Sequence, residues 1–130
     1  MPAPPSDSAP LVLVIDDVED NRDVYAQFLQ HAGWRVATAA DGEEGLAKAA
    51  QLQPSVIILD LGLPKMDGWE VAQRLKNTPA TSAIAVVALT GHVTPEARKR
   101  ALTAGVDEFC TKPCLPHDLV ATIRRHIKRT

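Results

Sequence analysis

The sequence has little of what marks several large classes of protein. Aromatic residues make up 4% of its 130 residues and the formal net charge is −2, so the basic excess typical of nucleic-acid-binding domains is missing. No apolar run is long enough to cross a membrane. The first residues have neither a basic flank nor an apolar stretch, which argues against a secretory signal. We therefore expect a cytoplasmic protein with no membrane insertion and no direct nucleic-acid binding.

Cysteine is also scarce. The two cysteines, Cys110 and Cys114, form no dense framework and fit a reducing compartment. Together with His117 they supply three soft ligands, whereas structural zinc takes four, so zinc is a weak alternative. We expect Cys110 to be a thiol in the core and Cys114 to be exposed enough to oxidise.

The length allows one domain of ordinary size. Residues 1–9 are rich in proline and are predicted to be a disordered tail, which leaves residues 10–130 for the domain. The last predicted helix reaches the end of the sequence, so we expect no output domain in the chain. The chain is then either a stand-alone protein or a segment of a longer hybrid kinase.

Strand-like and helix-like segments alternate five times along the domain. Strands are predicted at residues 11–15, 34–39, 55–60, 84–89 and 108–111, and helices at about 20–32, 41–52, 68–76, 95–105 and 116–128. In the first helix, Val24, Phe28 and Leu29 fall on one apolar face. Such a series predicts an α/β fold, a flavodoxin-like doubly wound (βα)5 unit whose five-stranded parallel sheet has the order 2-1-3-4-5.

Carboxylates follow the two most uniformly aliphatic strands. The first strand is followed by Asp16 and Asp17, and the third ends in Asp60. Aliphatic strands of this kind lie inside parallel sheets, and ligand sites lie at the carboxyl ends of such strands. Crowded like charges raise one another's pKa, so we expect a hard divalent cation among these oxygens. Thr90 and Lys112 end the fourth and fifth strands and reach the same edge.

These groups suit phosphoryl transfer to a carboxylate. A carboxylate can attack phosphorus to give an aspartyl phosphate, provided that a metal and a fixed cation neutralise the transferring group. Plainer interpretations exist for each residue alone: Asp16 and Asp17 could cap the first helix, and Asp60 could be an ordinary strand end.

Five motifs in order resemble the receiver domain of two-component response regulators, of the single-domain, chemotaxis-regulator type, over about residues 10–128. They are Asp16-Asp17, Ile58-Leu59-Asp60-Leu61, Pro64-Lys65-Met66-Asp67-Gly68, Ala88-Leu89-Thr90-Gly91 and Lys112-Pro113. The resemblance implies a phosphorelay protein that accepts a phosphoryl group on Asp60 from a phosphohistidine of a histidine kinase or histidine phosphotransfer protein.

The resemblance also assigns roles to single residues. Mg²⁺ or Mn²⁺ would be bound directly by Asp17, Asp60 and the main-chain carbonyl of Gly62, and through water by Asp16. Thr90 and Lys112 would contact the phosphoryl group. Such a protein catalyses only its own phosphorylation and dephosphorylation and is otherwise no enzyme.

A switch is implied as well. Thr90 would move toward the phosphoryl group and Phe109 would fill the vacated space, which changes a surface of helix 4, strand 5 and helix 5 that binds a downstream target protein. The chain would be a monomer or weak dimer. Gly62 and His92, each two residues after a site residue, are predicted to set the rate of dephosphorylation.

Two other function classes compete with this one. A hydrolase of the haloacid dehalogenase type also uses an aspartate after an aliphatic strand, but it needs an acid two residues later, where Gly62 stands. A receiver-like interaction module that is never phosphorylated is the other.

Overall fold

A computed structural model of the protein describes residues 9–61, 68–91, 94–112 and 114–127. Five strands alternate with five helices in the described part of the chain. The strands are β1 (Leu11–Ile15), β2 (Arg35–Ala39), β3 (Val56–Asp60), β4 (Ala85–Thr90) and β5 (Glu108–Thr111). The helices are α1 (Glu19–His31), α2 (Gly42–Leu52), α3 (Gly68–Asn77), α4 (Pro95–Ala104) and α5 (Pro116–His126).

All the strands pair in parallel, in the order β2-β1-β3-β4-β5. This confirms the predicted flavodoxin-like doubly wound fold. Helices cover both faces of the sheet, so the central strands β1 and β3 are buried almost throughout and carry aliphatic side chains on both sides. None of the described helices is long and apolar enough to cross a membrane.

Alternation along the strands divides the core into two halves, one on each face of the sheet. The first half includes Leu13, Ile15, Ile57, Leu59, Val71, Leu75 and Ala104, with Trp69 and Phe109 packed against it. The second half includes Val12, Val14, Ile58, Leu89, Cys114, Leu119 and Ile123, with Tyr25 and Cys110 packed against it. Neighbouring residues of one strand therefore face different layers.

Local signals in the sequence explain where helices begin and end. The Glu44 amide donates a hydrogen bond to Asp41 Oδ1 at 2.8 Å, which caps α2 as predicted. The Glu44 carboxylate accepts from the amide of Ala40 rather than from that of the cap residue itself. The last helix is shorter than predicted, because Ile127 already has extended backbone angles.

The apolar face assigned to α1 was only partly right. Leu29 is buried, but Val24 is 46% exposed and Phe28 is 48% exposed. Successive residues lie about 100° apart around a helix, and α1 turns Tyr25 and Leu29 toward the sheet, with the cap residue Ala32 on the same side. Val24 and Phe28 consequently form an apolar stripe in solvent.

The expectation for the cysteines was wrong. Cys110 and Cys114 form a disulfide with their Cα atoms 5.9 Å apart. Cys114, expected to be exposed, is only 8% exposed. The two sulfur atoms are bonded to each other, so neither is available as a zinc ligand and the zinc alternative is excluded in this form of the protein.

Candidate functional site

Strand register brings the candidate residues to one edge of the sheet. Ile15 of β1 lies opposite Leu59 of β3, so Asp16 and Asp60 follow paired residues on neighbouring strands. Asp60 in turn pairs with Leu89 of β4, the residue before Thr90. The switch point of the sheet, between β1 and β3, therefore carries the acidic residues, as the predicted strand order requires.

The three carboxylates form one cluster. Asp16, Asp17 and Asp60 each offer an oxygen atom, and these atoms all lie within 4.8 Å of one another. Asp16 is fully buried and Asp60 is 4% exposed, whereas Asp17 is exposed. Oxygen donors at this spacing suit a hard divalent cation, and such a cation would offset their mutual repulsion.

Burial and neighbouring groups shift the pKa of Asp16. Loss of solvent raises the pKa of the Asp16 carboxyl above its usual value, the hydrogen bond from the Val18 amide at 2.9 Å opposes that rise, and the charge of Asp60 adds to it. Asn21 Nδ2 contacts the second oxygen at 3.4 Å. These hydrogen bonds hold the Asp16 side chain in place, while burial continues to disfavour its negatively charged form.

Lys112 supplies the cation of the site. Its Nζ atom lies 3.0 Å from Asp60 Oδ1, and its side chain is 33% exposed against 6% for Asp60. The Lys112 amide donates to the Thr90 carbonyl at 2.8 Å, which joins the end of β4 to the segment after β5. Thr90 itself is half-buried at the same edge. The structure thus places a carboxylate, an ammonium and a hydroxyl-bearing residue together.

Gly68 allows α3 to begin directly against the Asp60 backbone. A Cβ atom at Gly68 would lie 2.5 Å from Leu61 Cα and 2.9 Å from the Asp60 carbonyl oxygen. Both are backbone atoms, so no side chain could rotate away to make room. Of the predicted site residues, Gly62 and His92 lie outside the described part of the chain.

Phe109 lies on β5, where it is half-buried and packs against the core half that also contacts Trp69. The register places it opposite Ala88, two residues before Thr90 on the neighbouring strand. The two residues assigned to the switch therefore lie on adjacent strands.

Sequence reasoning missed three residues of α1 that contribute to the site. Asn21 contacts the Asp16 carboxylate, and Arg22 Nη1 donates to the Asp16 carbonyl at 2.8 Å. Burial raises the pKa of the Tyr25 hydroxyl, and the negative charge of Asp16 raises it further. The available signal was the i,i+4 spacing of Asn21 and Tyr25, which puts both on one helix face.

Comparison with known proteins identifies the family. A family model described as the response regulator receiver domain matches residues 12–124. The chain belongs to the response regulator receiver family. Receiver domains are signalling domains rather than classical enzymes, and they take phosphoryl groups on aspartate, bind Mg²⁺ at an acidic pocket and interact with histidine kinases or phosphotransfer proteins.

Individual relatives agree with this membership. The DNA-binding dual master transcriptional regulator RpaA of Synechocystis sp. is 39% identical over 121 residues, which cover 93% of this chain and 50% of that protein. The chemotaxis protein CheY4 of Vibrio cholerae superposes with a TM-score of 0.88 at 33% identity, covering 92% of this chain and 99% of that structure. The receiver domain of the sensor histidine kinase PA1611 from Pseudomonas aeruginosa, solved with a magnesium ion in its active-site cleft, gives 0.84 at 25% identity, covering 92% and 98%. The chain spans about half the length of the curated transcriptional regulator.

Proposed function

We propose that this receiver domain accepts a phosphoryl group on Asp60 from a phosphohistidine of a histidine kinase or phosphotransfer protein. The observation that carries the proposal is the Asp60 carboxylate, which lies among two further carboxylates and within 3.0 Å of the Lys112 ammonium. Asp17, Asp60 and the Gly62 carbonyl would hold Mg²⁺ or Mn²⁺, and Asp16 would support its water ligands.

The residues divide the work of the transfer. A divalent cation held by Asp17, Asp60 and the Gly62 carbonyl would supply positive charge that offsets the charge of the phosphoryl group. Asp60 attacks the phosphorus as the bond to the histidine nitrogen breaks, while Lys112 offsets negative charge on the phosphoryl oxygens. The Thr90 hydroxyl donates a hydrogen bond to another of these oxygens.

The exposed apolar stripe of α1 supports a docking site for the phosphodonor. Val18 precedes α1 at the carboxyl edge of the sheet and is 45% exposed, and Leu115 precedes α5 at the same edge and is 51% exposed. Both border the edge that the donor histidine must reach, and Val24 and Phe28 extend the exposed apolar surface along α1 away from that edge. The proposed occupant is therefore an apolar helix surface of the kinase or phosphotransfer protein.

The output surface is proposed on α4, β5 and α5. Leu102 of α4 is 66% exposed, and among the described strands β5 lies at the edge of the sheet and pairs with β4 alone. Phosphorylation would move Thr90 and Phe109 and so change this surface for a downstream target. Gly62 and His92 remain the residues proposed to set the phosphoryl lifetime. A cytoplasmic location is part of the proposal, because phosphohistidine donors are made from ATP there.

The test uses acetyl phosphate as a small phosphodonor. The protein with Mg²⁺ should gain one phosphoryl group in its intact mass, and the Asp60→Asn variant should gain none. Loss of the adduct on chelation of the metal would support the metal assignment. If no adduct depends on Asp60, an interaction module that is never phosphorylated is the better function. If the protein hydrolyses a phosphate ester over many turnovers, the hydrolase is favoured.

Beryllofluoride provides a second measurement that needs no transfer chemistry. Bound beryllofluoride should raise the melting temperature of the wild-type domain in the presence of Mg²⁺ but not that of Asp60→Asn, because only the wild type offers an anionic carboxylate oxygen to beryllium. A matched response of both proteins would contradict the assignment of Asp60.

A further inference from the structure

The two cysteines of the disulfide flank Lys112 in the sequence. Cys110 is on β5 and Cys114 is two residues before α5, so the bond spans only residues 111–113. Its Cα atoms are 5.9 Å apart, within the ordinary range for a disulfide. The segment that carries the cation of the site is therefore closed into a small ring.

Both cysteines are held near each other by structure outside this ring. Cys110 is opposite Leu89 in the sheet and packs against the core half that contains Leu119 and Ile123 of α5. Cys114 belongs to the same core half. Since β5 and α5 are both anchored, two thiols at these positions would remain close enough to bond without refolding.

We propose that Cys110 and Cys114 form a reversible redox site that controls the order of the Lys112 segment and hence phosphoryl transfer to Asp60. The second part rests on the proposed function. Disulfides in cytoplasmic proteins are usually transient and redox-sensing, so a lone disulfide beside the phosphorylation site fits a regulatory role better than a stabilising one.

The chemistry needs a two-electron oxidant, for which we name a hydroperoxide. Each thiol first loses a proton to give a thiolate. One thiolate attacks a peroxide oxygen, which gives a sulfenic acid and expels an alkoxide, or hydroxide from hydrogen peroxide, that takes up one of these protons. The second thiolate attacks the sulfenic sulfur, forms the S–S bond and expels hydroxide, which takes up the other proton to give water. Two thiols are oxidised and one peroxide is reduced. A dithiol reductant reverses the step by thiol–disulfide exchange.

The oxidised form is the one with Lys112 in place. With the disulfide formed, Lys112 Nζ lies 3.0 Å from Asp60 and the Lys112 amide is bonded to the Thr90 carbonyl. Reduction opens the ring and gives the segment more backbone freedom, which must be lost again for transfer. We expect reduction to slow phosphorylation by acetyl phosphate about fivefold, which corresponds to about 1 kcal/mol in the barrier.

Formation of the bond is tested on the folded full chain. After complete reduction, hydrogen peroxide should lower the intact mass by two hydrogen atoms and abolish labelling by iodoacetamide, and dithiothreitol should restore both. Cys110→Ala and Cys114→Ala should each keep one reactive thiol. Free thiols that persist in the folded wild type at full peroxide exposure would overturn the proposal.

Control of Lys112 is tested by hydrogen exchange, which does not depend on phosphorylation. The Lys112 amide should exchange about tenfold more slowly in the oxidised protein than in the reduced one, since the closed ring suppresses local opening. The double variant Cys110→Ala/Cys114→Ala should resemble the reduced protein under both conditions, which controls for oxidation of methionine. Equal exchange rates in the oxidised and reduced wild type would overturn the proposal.

The phosphorylation rate is then compared between the two redox forms. A rate difference in the wild type that is absent in the double variant supports the proposal, and equal rates refute control of transfer. If neither form gains an Asp60-dependent adduct, the receiver function fails. The exchange measurement still decides whether the disulfide orders the segment.

Discussion

Replacing Gly68 with alanine should push α3 away from the phosphoacceptor strand without changing any charged group. The new Cβ would lie 2.5 Å from Leu61 Cα, so the two backbones must separate by about 0.9 Å to restore an ordinary 3.4 Å contact. The hydrogen bond from the Gly68 amide to the Leu61 carbonyl is already long at 3.4 Å and would be lost.

The expected cost follows from two opposing effects. Overpacking against a rigid neighbour typically costs about 1–3 kcal/mol, and the better helix propensity of alanine returns up to about 1 kcal/mol. We therefore expect the free energy of unfolding to fall by about 1–2 kcal/mol, which lowers the melting temperature of a domain of this size by about 4–8 °C. Displacement of the Asp60 backbone should also slow phosphorylation, by up to about a hundredfold for a shift near 1 Å.

Urea unfolding and the rate of phosphorylation by acetyl phosphate measure the two effects. Gly91→Ala is the matched control for stability, because it lies at the same edge and its added Cβ would meet nothing within 4 Å. That variant should stay within about 0.5 kcal/mol of the wild type. If Gly68→Ala proves as stable as Gly91→Ala, the close approach of α3 to β3 is not what holds the site, and the reasoning fails.

Three other substitutions test the electrostatics. Because burial raises the pKa of Asp16, the metal-free protein should lose stability as the pH rises through that pKa. Asp16→Asn should remove this loss of stability and should also weaken the stabilisation by Mg²⁺. Melting curves recorded against pH measure both effects. Lys112→Ala should slow phosphorylation about a hundredfold while Mg²⁺ affinity, measured by titration, is kept or increased. Burial alone would raise the pKa of Glu108, but hydrogen bonds from Arg125 and His126 outweigh it and hold the pKa below its usual value. Glu108→Gln should therefore cost about 0.5–1 kcal/mol at neutral pH, and urea unfolding should show this difference vanish as the pH falls through the lowered pKa.

The strands and the edge that carries the site were predictable because the signals are local. Uniform aliphatic character marked β1 and β3, and the structure places β1 and β5 at the predicted residues. The cap of α2 is formed by two residues three positions apart, Asp41 and Glu44, and needs no tertiary information. Once the strand order is known, parallel pairing brings Asp16 and Asp60 side by side.

The orientation of α1 and the disulfide depend on the whole fold. The sequence of α1 contains two neighbouring apolar stripes, and their spacing does not indicate which one packs against the sheet. In the structure Leu29 is buried and Phe28 is exposed. The bond between Cys110 and Cys114 requires their Cα atoms to lie 5.9 Å apart, with both side chains packed against the same core half. Neither a spacing of four residues nor a low cysteine count indicates that arrangement.

The alternation of β5 separates the proposed switch from the proposed redox control. Phe109 packs against the core half that contacts Trp69, and Cys110 packs against the opposite half, on the other face of the sheet. One residue beyond β5, Lys112 lies at the edge between the two layers, where its ammonium meets Asp60. The proposed movement of Phe109 would therefore occur in the layer of α3 and α4, and the proposed redox change at Cys110 in the layer of α5. Because these layers lie on opposite faces of the sheet, we expect the redox state to alter phosphoryl transfer without occupying the space proposed for Phe109.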